Sequence, residues 1–139
     1  MAGQKELDPA MRLAISVIKR WRAGEGVVLQ LKTPTYVVAT PNLCHHNVKE
    51  WVVKYPQNEH VRGFLLFDYR PRFDGMLVLA HSVVGAPDGS LNDITPREEA
   101  GPEAFVRHVG APEEFELIAS VEPFSVKVSY ALLDQVLGK

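Results

Sequence analysis

An α+β fold is predicted for this chain by three observations. A long amphipathic helix comes first, a second helix follows two strand-like runs, and the middle holds apolar strands joined by a hairpin turn. No strand-helix-strand unit repeats, so a doubly wound parallel sheet is not expected. A length of 139 residues predicts a single domain, 1–139, able to bury a core without disulfides or a structural metal.

The first helix has both of its end signals. Asp8 can cap it, Pro9 suits its first position and Gly24 its end. Met11, Ile15, Ile18 and Trp21 recur between them at helical spacing, with Arg12, Lys19, Arg20 and Arg22 mostly off that stripe. "VVLQL" (27–31) and "TYVVAT" (35–40) read as strands around a turn at Lys32 to Pro34. A second helix then starts, with Thr40 or Asn42 as cap and Pro41 at the boundary. Cys44, Val48, Trp51, Val52 and Tyr55 follow one face until Pro56 stops it.

"VRGFLLFDY" (61–69) and "MLVLAHSVV" (76–84) are strands, the second so continuously apolar that it belongs in the centre of a sheet. "APDGS" turns, and "LNDIT" (91–95) returns as a short strand. Beyond Pro96 we expect a short helix near Glu103 to His108 and a strand within Phe115 to Val121. A further strand at Ser125 to Ser129 and a terminal helix from Tyr130 to Leu137 complete the pattern.

Composition narrows the function classes. The chain is 46% hydrophobic and 23% charged, with a net charge of −2. That charge offers no electrostatic case for nucleic acid or an acidic membrane surface. No apolar run approaches the roughly 20 residues of a membrane span, and "MAGQKELDPAM" lacks the layout of a signal peptide. A cytoplasmic protein is expected, signal-free export being the alternative. The oligomeric state is open.

Cys44 is the sole cysteine, followed directly by His45 and His46. One cysteine excludes an intrachain disulfide and a Cys-rich zinc framework. The bland reading is a small apolar filler. Against it, the first turn of a helix stabilises a thiolate through unpaired N–H groups and the helix dipole, and the neighbours are polar. His81 stands inside an apolar strand, where an imidazole needs a partner. A core histidine satisfied by some nearby acceptor is the plain alternative. Asp93, on the returning strand, is the natural partner. It can fix the tautomer and leave the other nitrogen to accept a thiol proton. Cys44, His81 and Asp93 are thus a candidate nucleophile, base and orienter. His45 and His46 are expected to be exposed helix-surface residues, since adjacent helical positions diverge by about 100°.

One geometric condition follows. A two-residue turn at Asp88-Gly89 sets Val84 opposite Asp93 and leaves His81 about 10 Å away. Bringing 81 beside 93 requires an odd-length loop or a bulge between Gly85 and Ser90.

The order of these residues resembles the transglutaminase-like branch of the papain-like superfamily. Its H-A-W-V and D-P-T segments stand here as His81-Ser82-Val83-Val84 and Asp93-Ile94-Thr95-Pro96. The chain is more similar still to a small bacterial and phage branch with C-H-x-N-V, then a G-W/F-L strand, H-x-V, D-G-x-L-x-D and T-P. Here these read Cys44-His45-His46-Asn47-Val48, Gly63-Phe64-Leu65, His81-Ser82-Val83, Asp88-Gly89-Ser90-Leu91-Asn92-Asp93 and Thr95-Pro96. The likeness spans residues 40 to 96, well under half the chain, and each motif is short.

That resemblance implies a papain-like domain with a nucleophile helix packed on an antiparallel sheet. It implies a cysteine hydrolase or acyltransferase acting through a thioester on a peptide, protein or small amide, with no metal and no cofactor. Two departures concern the oxyanion donor: there is no G-x-C-W box and no Gln ahead of the cysteine. The backbone N–H of Cys44 and the Asn42 side chain are the candidates. Asn47 belongs to the motif as a supporting residue, one helical turn past the thiol. Tyr36, Tyr69 and Arg70 are candidate cleft residues. Two other classes stay open: a noncatalytic interaction module on the same scaffold, and a zinc site of Cys44, His45 or His46, and His81, with Asp93 as fourth ligand.

Overall fold

The computed structural model describes residues 7–27, 30–31, 44–95 and 102–138, with only the backbone described at 30–31. In chain order the elements are α1 (Pro9–Arg22), β1 (Gln30–Leu31), α2 (Cys44–Lys54), β2 (Glu59–Asp68), β3 (Gly75–Gly85), β4 (Leu91–Asp93), β5 (Ala104–Arg107), α3 (Pro112–Ala119), β6 (Ser125–Ser129) and α4 (Tyr130–Leu137). The fold is α+β.

Strands run β1-β4-β3-β2-β5 across the sheet, and β6 pairs with β3. All pairings are antiparallel except β1 with β4, which is parallel. The wholly antiparallel sheet expected from the sequence is corrected in that one place. β1 joins β4 only after α2, β2 and β3 have intervened, whereas hairpins join β2 to β3 and β3 to β4. Val27 bridges Phe105 of β5, while Gln30 and Leu31 pair with β4 at the opposite edge. The start of the chain therefore touches both edges of the sheet and curls it into a half-barrel.

α1 forms as its end signals predict. Asp8 caps it, accepting the Met11 N–H at 2.8 Å, and Gly24 takes a left-handed φ of 97° just past its end. Its buried stripe is Ala14, Ile15, Val17 and Ile18. Met11 and Trp21 only flank that stripe.

Alternation along the strands separates two cores. On the helix-covered face, Phe64, Leu66, Met76, Val78 and Ala80 pack with α1 and with Phe115, Ile118, Val128 and Leu133. Inside the curl lie Val61, Leu65, Phe67, Leu77, Val83 and Phe105. A third, small cluster holds α2 to the sheet: Val48 against Val84 and Ile94, flanked by Trp51 and Val52. β3 is the central strand, as its unbroken apolar run requires, and it is buried along nearly its whole length.

Two expectations are corrected after Pro96. Residues 104–107 form β5, not a helix, because Ala104, Phe105 and Val106 are buried against β2, with Leu66 opposite Ala104. Pairing to a sheet edge overrides local propensity here. The segment expected as a strand within 115–121 is instead α3. Pro112 opens that helix, Glu113 and Glu114 occupy its first turn, and Phe115 and Ile118 are buried one turn apart. β6 and α4 stand where expected, with Ser129 capping α4 at Leu132 N–H, 3.1 Å. The expected strand at 35–40, its turn at 32–34 and the caps Thr40 and Asn42 lie outside the described residues. Among the described residues, no helix is long and apolar enough to cross a membrane.

Candidate functional site

The site forms where the edge of β3 is open. β6 pairs with β3 as far as Leu79, and β4 pairs with it from Val84. Between them, among the described residues, His81 to Val83 have no strand on that edge. The first turn of α2 meets β3 at this opening, bringing Cys44 to His81 and His45 to Ser82.

The loop between β3 and β4 supplies the irregularity that the site requires. Gly85 pairs with Leu91 and Val84 with Asn92, so five residues, 86–90, make the connection. Ala86 N–H donates to the Ser90 carbonyl and Gly89 N–H to the Ala86 carbonyl, both at 2.9 Å. Gly89 has φ 88°, open to glycine at no steric cost. The Asp88 carboxylate accepts from Ser90 N–H at 2.9 Å and from its hydroxyl at 2.7 Å. Continuing that register sets Asp93 opposite Val83, on the same face as His81 two residues away, a diagonal pair within reach of long side chains. His81 Nε2 donates to Asp93 Oδ1 at 2.9 Å, and the same oxygen accepts the Thr95 N–H at 3.2 Å. Both partners are sealed from water, Asp93 wholly and His81 at 3% exposure.

With Nε2 held by Asp93, His81 Nδ1 is left for the thiol. Cys44 is half-buried at the first residue of α2. Burial alone raises its pKa, but hydrogen bonds and charge from His45 and His81 outweigh that and bring it from 9.0 to about 6. His81 moves the other way, to about 9. Burial disfavours its charged form, but the bonds to Asp93 and Cys44 more than compensate. Between those values the pair stands as thiolate and imidazolium. A thiolate nucleophile and a proton donor are then present together at neutral pH.

Asn47 is fully buried and donates from Nδ2 to Thr95 Oγ1 at 3.2 Å. It ties α2 to the segment whose Thr95 N–H donates to Asp93. Asn42, the expected side-chain oxyanion donor, lies outside the described residues. The Cys44 N–H is among those at the helix start that have no partner within the helix.

The two neighbouring histidines differ from expectation and from each other. His46 is exposed and faces Glu50, 3.3 Å away, as expected of a surface residue. His45 is not a surface residue: it is half-buried, its ring sits edge-on to Phe115 at 5.6 Å, and Nδ1 bonds Ser82 Oγ. Helix α2 begins at the sheet edge, so its first-turn side chains turn towards β3, an orientation that helical spacing by itself does not give. Sequence reasoning also missed His60 and Ser82. His60 Nε2 lies 2.8 Å from Ser82 Oγ, because the β2–β3 register sets Arg62 opposite Ser82 and His60 opposite Val84. Only that register could have revealed the contact.

Tyr69 and Arg70 are not part of this site. They lie just past the far end of β2, where Asp68 pairs with Met76, five positions along β3 from His81. Arg70 pairs there with Asp68 at 2.6 Å and lies over the Tyr130 ring. Tyr36 lies outside the described residues. Among the described residues, no group of three His, Cys, Asp or Glu side chains is placed to hold a metal ion, so the zinc reading gains no support from the geometry. Comparison of the chain with protein-family models, with curated proteins and with solved structures finds no match.

Proposed function

We propose that this protein carries out cysteine-dependent acyl chemistry on an amide or ester through Cys44, His81 and Asp93, in a papain-like or transglutaminase-like arrangement with α2 as the nucleophile helix. The observation that carries the reading is convergence. Three residues from a helix start and two strands meet in one opening, and the thiol and imidazole shift each other towards thiolate and imidazolium.

The Cys44 thiolate attacks the carbonyl carbon, forming a C–S bond and an oxyanion. The Cys44 N–H, aligned with the helix dipole, is the backbone donor available to that oxyanion. Collapse breaks the bond to the amine or alcohol, which leaves with the proton of imidazolium His81. Neutral His81 then takes a proton from water or from a second amine as it attacks the thioester. Thiolate departs and the imidazolium is restored. Water as acceptor gives hydrolysis or deamidation, and an amine gives transfer. Asp93 holds the ring so that Nδ1 faces the sulfur throughout, and does not itself take the proton. The substrate class is a peptide, a protein side chain or a small amide.

An electrophilic acyl probe, such as an acyloxymethyl ketone, tests the reading. Intact-mass analysis of the native protein should show a single adduct, mapped to Cys44, and none on Cys44→Ala. His81→Ala should label much more slowly. Labelling that appears only after unfolding would identify Cys44 as a filler thiol and end the proposal.

A further inference from the structure

β3 presents two neighbouring side chains to opposite faces, His81 and Ser82, and α2 presents two neighbouring side chains to them, Cys44 and His45. His81 is held from behind by Asp93. Ser82 is held from behind by His60, whose Nε2 lies 2.8 Å from its Oγ. The thiol is hydrogen-bonded with both His45 and His81, and each imidazole has its own support. The triad mechanism uses only one of them.

We infer that His45 is a second catalytic imidazole: a hydrogen-bond donor to the Cys44 sulfur, its ring oriented by Ser82 and His60 acting as positioning residues. This rests on the acyl-transfer reading and deepens it. The supporting geometry is a hydrogen-bonded chain with one polarity that serves a thiolate. Ser82 has one hydroxyl proton and stands between two ring nitrogens, so it donates to one and accepts from the other. When His60 Nε2–H donates to Ser82, the hydroxyl donates to His45 Nδ1, and the proton of His45 sits on Nε2. Nε2 is the ring atom left for the sulfur. His60 is suited to donating as a neutral ring, because burial and the Arg62 charge disfavour its charged form. Phe115 fixes the His45 ring edge-on at 5.6 Å, limiting its rotation.

The consequence concerns the moment when His81 has given up its proton. By then the sulfur is bonded to the acyl carbon, and the thiolate returns only as the thioester opens. With His45 as a second donor, the sulfur regains thiolate form more readily at that point. The groups facing the sulfur are then His45 on α2 and His81 on β3. Asp93 on β4 stands behind His81, and Ser82 on β3 with His60 and Arg62 on β2 stand behind His45.

The test is the pH dependence of iodoacetamide alkylation of the full chain. It compares the native sequence with His45→Ala, His45→Gln, Ser82→Ala, His60→Gln and His81→Ala, each checked for unchanged thermal unfolding. We expect the midpoint to rise by roughly one pH unit in His45→Ala, to return partway in His45→Gln, which restores an N–H donor, and to rise less in Ser82→Ala and His60→Gln. His81→Ala should keep a midpoint below that of a free thiol, because His45 remains. A His45→Ala midpoint equal to the native one overturns the second imidazole. Normal midpoints in both Ser82→Ala and His60→Gln overturn its support by that pair. Failure of the underlying reading looks different: the unsubstituted protein would itself titrate at or above the free-thiol value. If Ser82→Ala unfolds early, His60→Gln tests the same support from the other side of the hydroxyl.

Discussion

His81 Nε2 and Asp93 Oδ1 meet at 2.9 Å across a hairpin whose loop has five residues. The loop length decides the contact. Removing one residue from 86–90 shifts the register by one and turns every side chain of β4 to the opposite face. Asp93 then leaves the face that carries His81. The turn "APDGS" is in this sense a component of the candidate site.

Asp93→Asn should slow acyl turnover by roughly 10- to 1,000-fold. The amide keeps the size but can present a donor to His81 Nε2 and select the unproductive tautomer. The loss should be smaller than in a serine triad, because this thiolate already has its helix start and a second histidine. The pH profile of kcat/KM should be bell-shaped, with limbs near 6 and 9 set by Cys44 and His81. In Asp93→Asn the alkaline limb should fall, since the anion that holds the proton on His81 is gone. Kinetics across pH 5–10 check both statements. An unchanged alkaline limb would remove Asp93 from the orienting role.

Asn47→Ala should destabilise the protein by about 1–3 kcal/mol, the cost of leaving a buried hydrogen-bonding partner unsatisfied. Asn47 is fully buried and bonds Thr95 Oγ1 at 3.2 Å. Urea unfolding measures the cost. The variant should also label more slowly with the acyl probe at temperatures where it is still folded, since the tie between α2 and the segment holding Asp93 is cut. Full stability with full labelling would make Asn47 a bystander.

Gly63→Ala should cost about 1–3 kcal/mol. Gly63 sits opposite His81 in the β2–β3 ladder, and a Cβ there would press on Phe105 Cζ and come 2.5 Å from the Val106 carbonyl oxygen. The ring can shift, but the carbonyl belongs to the backbone of β5. Relief therefore requires β5 to move from β2, beside the strand that holds His81. Thermal unfolding should show the loss, and a native-like midpoint would mean that β5 is far more yielding than its burial suggests.

Much of this site was legible because its chemistry depends on local features. The first turn of α2, the apolar run that makes β3 central and the odd loop needed for His81 and Asp93 all follow from spacing and turn residues. What escaped depended on contacts between distant segments. β5 is a strand because β2 offers it an edge, and α3 is a helix because Phe115 and Ile118 have the first core to face. His45 was misjudged for the same reason. Its position beside Cys44 is local, but its orientation is fixed by Ser82 and Phe115, 37 and 70 residues away in the chain.

The thiolate–imidazolium pair also predicts how stability depends on pH. His81 rises from 6.5 to about 9 on folding, so its contribution is full below 6.5 and is lost as pH climbs through 9. Cys44 falls from 9.0 to about 6, so its contribution is full above 9 and is lost as pH drops through 6. Between 6.5 and 9 the folded pair carries one proton, on His81. The unfolded pair also carries one, on Cys44. Proton counts match, so these two groups give no slope there. Cys44→Ala breaks the balance. The unfolded chain then has no proton at either position, while folded His81 keeps the one that Asp93 holds. Relative to the unsubstituted protein, the variant should lose stability with rising pH, by up to about 1.4 kcal/mol per pH unit. The loss should stop short of pH 9, since Cys44 itself helps to raise His81. Urea unfolding of both proteins at pH 6.5, 7.5 and 8.5 gives the difference directly, with all other titrating groups common to the pair. Parallel stability curves would mean that His81 is neutral in the folded Cys44→Ala variant, and that Asp93 without the thiolate does not hold its charge.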